Sequence, residues 1–153
     1  MHSFWDVLYN HSLLCALLGW FAAQSLKVVL YFVVEHKWNF KRFFGSGGMP
    51  SSHSSMVVAL TVMVGATQGF GTVVFACCVV LSCIVMYDAA GVRREAGTQA
   101  AVINQFIRDV LINGKPITEE ELKELIGHTP LEVLGGAIVG LLTVFAYLTV
   151  LMR

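Results

Sequence analysis

Four apolar stretches, at roughly 13–34, 54–69, 72–90 and 131–152, dominate this 153-residue chain and dictate the solvent it folds in. Each meets or approaches the ~20 residues an α-helix needs to cross the hydrocarbon core of a bilayer. No water is available there to bond backbone groups, so a spanning segment must satisfy them internally, as a helix does. Composition agrees: hydrophobic residues make up 56% of the chain and charged residues 13%, a balance foreign to soluble domains of this size. The expected fold is all-α, a polytopic membrane bundle of about four transmembrane helices forming one integral membrane domain over 1–153.

Finer features fill in that outline. Met1-His2-Ser3-Phe4-Trp5-Asp6 lacks the basic start of a signal peptide, so the first stretch is read as a permanent span. Gly69-Phe70-Gly71 offers a sharp reversal between the second and third stretches. Between the third and fourth, Ala100, Ile103, Phe106, Ile107 and Val110 recur at helical spacing, which predicts an interfacial amphipathic helix over about 96–112. A turn at Asn113-Gly114-Lys115-Pro116 follows, and Thr118-Glu119-Glu120-Glu121 reads as the capping box of a short helix ending near Ile126. The cysteines Cys15, Cys77, Cys78 and Cys83 fall in apolar runs without metal-binding or C-x-x-C spacing and are expected to serve packing.

Two motifs carry chemistry. Gly47-Gly48-Met49-Pro50-Ser51-Ser52-His53-Ser54-Ser55 precedes the second stretch, and Gly127-His128-Thr129-Pro130-Leu131-Glu132-Val133 opens the fourth. Each sets a histidine and small polar residues at an expected helix start, where free N–H groups and the positive dipole end favour a phosphate. With four spans in sequence, the end of the first, the start of the second, the end of the third and the start of the fourth share one membrane face. That face gathers Lys27 and Arg42, Ser51, Ser52 and His53, Asp88 with Arg93 and Arg94, and His128 with Glu132. The opposite face has little beyond His2, Asp6, His11 and Arg153.

Each group also has a plainer reading. Lys27 lies about seven residues, or ~10 Å, inside the first span, where a lysine is either a functional cation or one snorkelling to the interface. Gln24, Lys27 and Tyr31 make a polar stripe on that helix. Arg93 and Arg94 could grip a phosphate or only anchor the helix end. His128 and Glu132 stack if both are helical; alternatively Thr129 and Pro130 are N-cap and first helical position, with His128 outside the helix and Glu132 complementing its dipole. Gly136 and Gly140 form a G-x-x-x-G pattern suited to close helix packing.

At these residues the chain resembles the membrane-bound type 2 phosphatidic acid phosphatase superfamily, relatives of the vanadium haloperoxidases, and in particular its divergent short branch. The resemblance rests on G-G-M-P-S-S-H-S, Y-D-A-x-G-V-R-R at Tyr87 to Arg94, and G-H-x-P-x-E-V. It implies a phosphohistidine at His128, a ring oriented by Glu132, and His53 as proton donor to the leaving alcohol. Phosphate would be held by Lys27, Arg42, Ser51, Ser52, Arg93 and Arg94, with Asp88 nearby. The pattern departs from the parent family in three ways: Pro50-Ser51-Ser52-His53 has serine for glycine, the lysine and arginine-proline motif has no proper copy, and Leu122 stands where an arginine is expected. The parent usually has six spans, which leaves dimerisation as a way to complete the fold.

The function expected is hydrolysis of a lipid phosphomonoester or polyprenyl (di)phosphate through a phosphohistidine, with no cofactor, no metal and no nucleic-acid partner. The alternative is a catalytically inactive protein of the same fold that binds or transports lipid phosphates. A metal-dependent headgroup transferase would need several aspartates on neighbouring turns, whereas Asp88 is alone at its helix end. Basic residues from Lys37 to Lys123 lie on the site-bearing face, which makes that face cytoplasmic by the charge-bias rule.

Overall fold

The structure, a computed structural model, describes residues 4–39, 43, 45, 48–91, 99, 103 and 128–151. A short 3-10 helix, Phe4–Tyr9, leads into α1 (His11–Glu35), followed by α2 (Ser52–Gln68), α3 (Val73–Ala90) and α4 (Pro130–Leu151). The helical bundle and its four elements match the sequence expectation. The 3-10 helix was not foreseen. The expected amphipathic helix over 96–112 and the short capped helix that follows it lie outside the described residues.

The helix ends follow local chemistry. Asn10 caps α1 by accepting from the Leu13 N–H at 3.1 Å. At its other end His36 turns left-handed, φ 52°, and its N–H closes on the Phe32 carbonyl at 2.8 Å. Trp38 then stacks on Phe32, and Phe43 sits edge-on to Trp20 and Phe21, so both rings fold back onto α1. Gly69, at φ 100°, makes the reversal after α2, and Thr72 caps α3 by accepting from the Phe75 N–H.

Three helices, His11–Glu35, Val73–Ala90 and Pro130–Val150, are long and apolar enough to cross a membrane. Leu18, Val33, Val80, Ile84, Leu142 and Phe145 point outward from them, as lipid contact requires. The fourth expected span is different in kind. At 17 residues α2 is about 25 Å long, and α1, α3 and α4 all pack against it. α1 also packs against α4, α3 meets α4 only slightly, and among the described residues the backbones of α1 and α3 stay apart.

Because its neighbours are helices, α2 can afford polar residues. Ser55 donates to the Gly19 carbonyl of α1 at 2.7 Å. Thr61 bonds the Ser82 hydroxyl of α3 at 2.7 Å, and Ser82 reaches the Val57 carbonyl at 3.1 Å. Such interhelical bonds replace the water a lipid phase lacks. Close approach does the rest. A Cβ on Gly140 would lie 2.5 Å from the Ser55 carbonyl oxygen, and one on Gly136 would collide with the Ser51 carbonyl. On the α1 side, a Cβ on Gly19 would come within 3.0 Å of the Ala59 side chain. Of the cysteines, only Cys15 is buried in this core; Cys77 and Cys83 face outward, contrary to the expectation that all four pack.

These contacts also fix direction. Gly136 meets Ser51 and Ser54 while Gly140 meets Ser55 and Ala59, so α4 runs parallel to α2. His11, at the start of α1, bonds the hydroxyl of Tyr147, near the end of α4, at 2.8 Å. α1 is therefore antiparallel to both.

Replacing Gly140 by alanine forces the α2 backbone to shift, and overpacking of this kind costs about 1–3 kcal/mol. Gly71, with nothing within 4 Å of its Cβ position, is the control. Thermal unfolding in detergent is expected to show a clear loss for Gly140→Ala and almost none for Gly71→Ala.

Candidate active site at the helix starts

Since α2 and α4 run side by side and in the same direction, their N-termini open at one place. Ser51 caps α2 by accepting from the Ser54 N–H at 3.4 Å, and the Ser54 hydroxyl bonds the Ser51 hydroxyl at 3.0 Å. Ser51, Ser52, Ser54 and Ser55 are all buried. The start of α4 is a reciprocal capping box. Thr129 accepts from the Glu132 N–H at 3.3 Å, and the Glu132 carboxylate accepts from the Thr129 N–H at 2.9 Å.

The same carboxylate oxygen lies 3.1 Å from Nδ1 of His128. Both alternatives offered by the sequence are thus partly right: His128 stands outside the helix, before its cap, and Glu132 still reaches its ring. An ionised carboxylate at Nδ1 accepts that nitrogen's proton in a hydrogen bond and leaves Nε2 with the ring's lone pair. His128 is 2% exposed, which limits the positions its ring can take.

Two backbone bonds hold the motifs together. The Ser51 N–H donates to the Glu132 carbonyl at 2.9 Å, joining α2 to α4, and the His128 N–H donates to the Ala89 carbonyl at 3.0 Å, joining α4 to the end of α3. The rings of His53 and His128 consequently sit with centroids 6.2 Å apart and planes inclined by 59°. Asp88, beside Ala89, is half-buried at the same junction.

Lys27 reaches this level from α1. Gly19 faces Ser55 and Ala59 across the antiparallel pair, and eight residues further on Lys27 stands about 12 Å nearer the site end, level with the turn before α2. α1 continues past it to Glu35. The depth of Lys27 measured from the end of α1 is therefore not depth below the site. The side chain is 3% exposed, and Gln24, on the same helix face, is 4% exposed.

The structure thus brings His53, His128, Glu132, Ser51, Ser52 and Lys27 to one end of the bundle, with Asp88 alongside. Arg42, Arg93 and Arg94 lie outside the described residues. Sequence reasoning missed the Ala89 and Glu132 carbonyls as positioning groups, since a main-chain acceptor has no residue signature. It also passed over Ser54 and Ser55, whose spacing from Ser51 marks the face that meets the glycines.

Fold and site define a polytopic membrane protein with paired imidazoles at two adjoining helix starts. The Divergent PAP2 family model matches residues 8–143, and the chain belongs to that family. It is 38% identical over 147 residues to the uncharacterized membrane protein YuiD of Bacillus subtilis (strain 168), an alignment covering 90% of this chain and 93% of that one. No solved structure matches.

Thr129 supplies one half of the capping box, and losing such a cap costs about 0.5–2 kcal/mol. Thr129→Ala is expected to lower the detergent unfolding midpoint, whereas Thr129→Ser, which keeps the hydroxyl, should stay near wild type.

Proposed function

We propose that the protein is a membrane lipid phosphatase that releases phosphate from a lipid phosphomonoester or a polyprenyl (di)phosphate. One observation carries the reading: two imidazoles 6.2 Å apart, one of them with a carboxylate on Nδ1, at a convergence of helix N-termini. Membership of the Divergent PAP2 family supports it.

The chemistry follows from the ring nitrogen of His128 that is turned away from Glu132. Nε2 of His128 attacks phosphorus in line from about 3 Å, displacing the lipid oxygen, and His53 in its cationic form donates the proton that oxygen needs. A positioned acid contributes ~100- to 10,000-fold. Negative charge on the equatorial oxygens is met by Lys27 and by the N–H groups at the start of α2, with Arg42, Arg93 and Arg94 assigned to the same task. Water then cleaves the phosphohistidine, with His53 now acting as base.

Purified protein should release inorganic phosphate from phosphatidic acid in mixed micelles. His128→Ala should abolish this, and His53→Ala should slow it ~100- to 10,000-fold. Because one ring starts neutral and the other protonated, the rate should follow a bell-shaped pH profile, and a chelator should leave it unchanged. Full turnover in both histidine variants would end the proposal.

A second reading keeps the anion site without hydrolysis: a protein that binds or carries lipid phosphates. Leu122, at the place of the expected arginine, favours it. Saturable phosphatidic acid binding with no label ever trapped on His128 would choose this reading.

We also propose that the site faces the cytoplasm, given the basic residues around it. Lys37 is exposed beyond the end of α1. A single cysteine at this position in a cysteine-free variant should react with a membrane-impermeant thiol reagent only after the cells are opened.

A further inference from the structure

Among the described residues, Gln24 is the one buried polar side chain near the site to which neither the packing nor the proposed chemistry gives a task. It is 4% exposed, and among the described residues its Oε1 has no hydrogen-bond partner. A buried acceptor without a donor is costly and is kept where something else supplies the donor. Its place in the bundle narrows what that donor is. Five residues beyond Gly19, Gln24 stands about 7.5 Å further toward the site end of α1. Ser52 and His53 stand about 3–4.5 Å beyond Ser55 on the facing helix. The amide therefore lies close to the level of His53, one turn below Lys27 and on the same helix face.

The ionised oxygens of a bound phosphoryl group cannot satisfy Oε1, because they are acceptors themselves. The departing lipid oxygen cannot either, since its single proton comes from His53. Water can. When it takes the place of the departed alcohol beside His53, it carries two O–H bonds, and only one of them points at the base. To present a lone pair to phosphorus it needs a second acceptor to hold the other.

We infer that Gln24 is the positioning residue for the hydrolytic water, its Oε1 accepting the O–H that His53 does not take; this rests on the phosphatase reading above. In that step the water oxygen bonds phosphorus while the phosphorus–Nε2 bond breaks and its electron pair returns to the His128 ring. One water proton passes to His53. The other stays on the oxygen as the P–OH of the released phosphate, held by Gln24. The amide thus acts in the second half-reaction and not in the first.

The test uses full-length protein in detergent micelles with phosphatidic acid carrying radiolabelled phosphate, following label on His128 after acid-free quenching. Gln24→Met, close in size and without the acceptor, should form labelled His128 within about twofold of the wild-type rate but lose the label on the order of tenfold more slowly, the worth of one hydrogen bond to a reacting group. Gln24→Leu serves the same purpose if the methionine variant does not fold. Gln24→Glu, which keeps an acceptor oxygen, should restore breakdown. Methanol, with a single proton, is a nucleophile that does not need Gln24, so the ratio of methyl phosphate to inorganic phosphate should rise in Gln24→Met.

Equal slowing of both half-reactions, an unchanged breakdown rate, or an unchanged methanol ratio would overturn this inference while leaving the phosphatase reading intact. Wild-type protein that never carries label would overturn both.

Discussion

The close contact of α4 with the backbone of α2 is the constraint on which the rest depends. With no side chain at Gly136 and Gly140, the start of α4 lies directly on the carbonyls of Ser51 and Ser55. Only at that separation can the Ser51 N–H reach the Glu132 carbonyl. Widening the gap by one methyl group would break that bond and part the two histidines along with it. A site made of residues from distant parts of the chain is thus positioned by main-chain geometry, which side-chain motion disturbs little.

Parallel packing has an electrostatic consequence. Two helices beginning side by side bring their positive dipole ends together, a repulsion that antiparallel neighbours avoid. Glu132 offsets part of it from the first turn of α4. The serines around Ser51 offset more by occupying N–H groups and one another. At this corner of the bundle stand the buried Lys27 and the starts of α2 and α4, a setting that favours an anion. The lipid solvent sharpens this, since α1, α3 and α4 exclude water from the flanks of α2.

The sequence disclosed the bundle because hydropathy is read over long windows, where the errors of single residues cancel. It was less able to say what α2 is. Sixteen or so apolar and small residues look like a short span, yet Ser54, Ser55 and Thr61 are there because that helix is enclosed by protein and bonds to its neighbours. His53, His128 and Glu132 were legible as chemistry from their motifs. The arrangement joining them was not, because it depends on the carbonyls of Ala89 and Glu132. The relation of His128 to Glu132 stayed ambiguous for a physical reason: a capping turn and a helical turn bring positions four apart to similar distances.

Lys27 shows how register changes the meaning of depth. On a single helix it appears stranded, because α1 carries on to Glu35 above it. Set against α2 and α4, it stands where those helices start, so the site is recessed below the top of α1 by roughly two turns. Trp38, stacked on Phe32, lies along the wall formed by that overhang. A group bound at Lys27 would therefore sit under the rim of the bundle rather than at its surface. The length of α1 beyond Lys27 is what sets that recess.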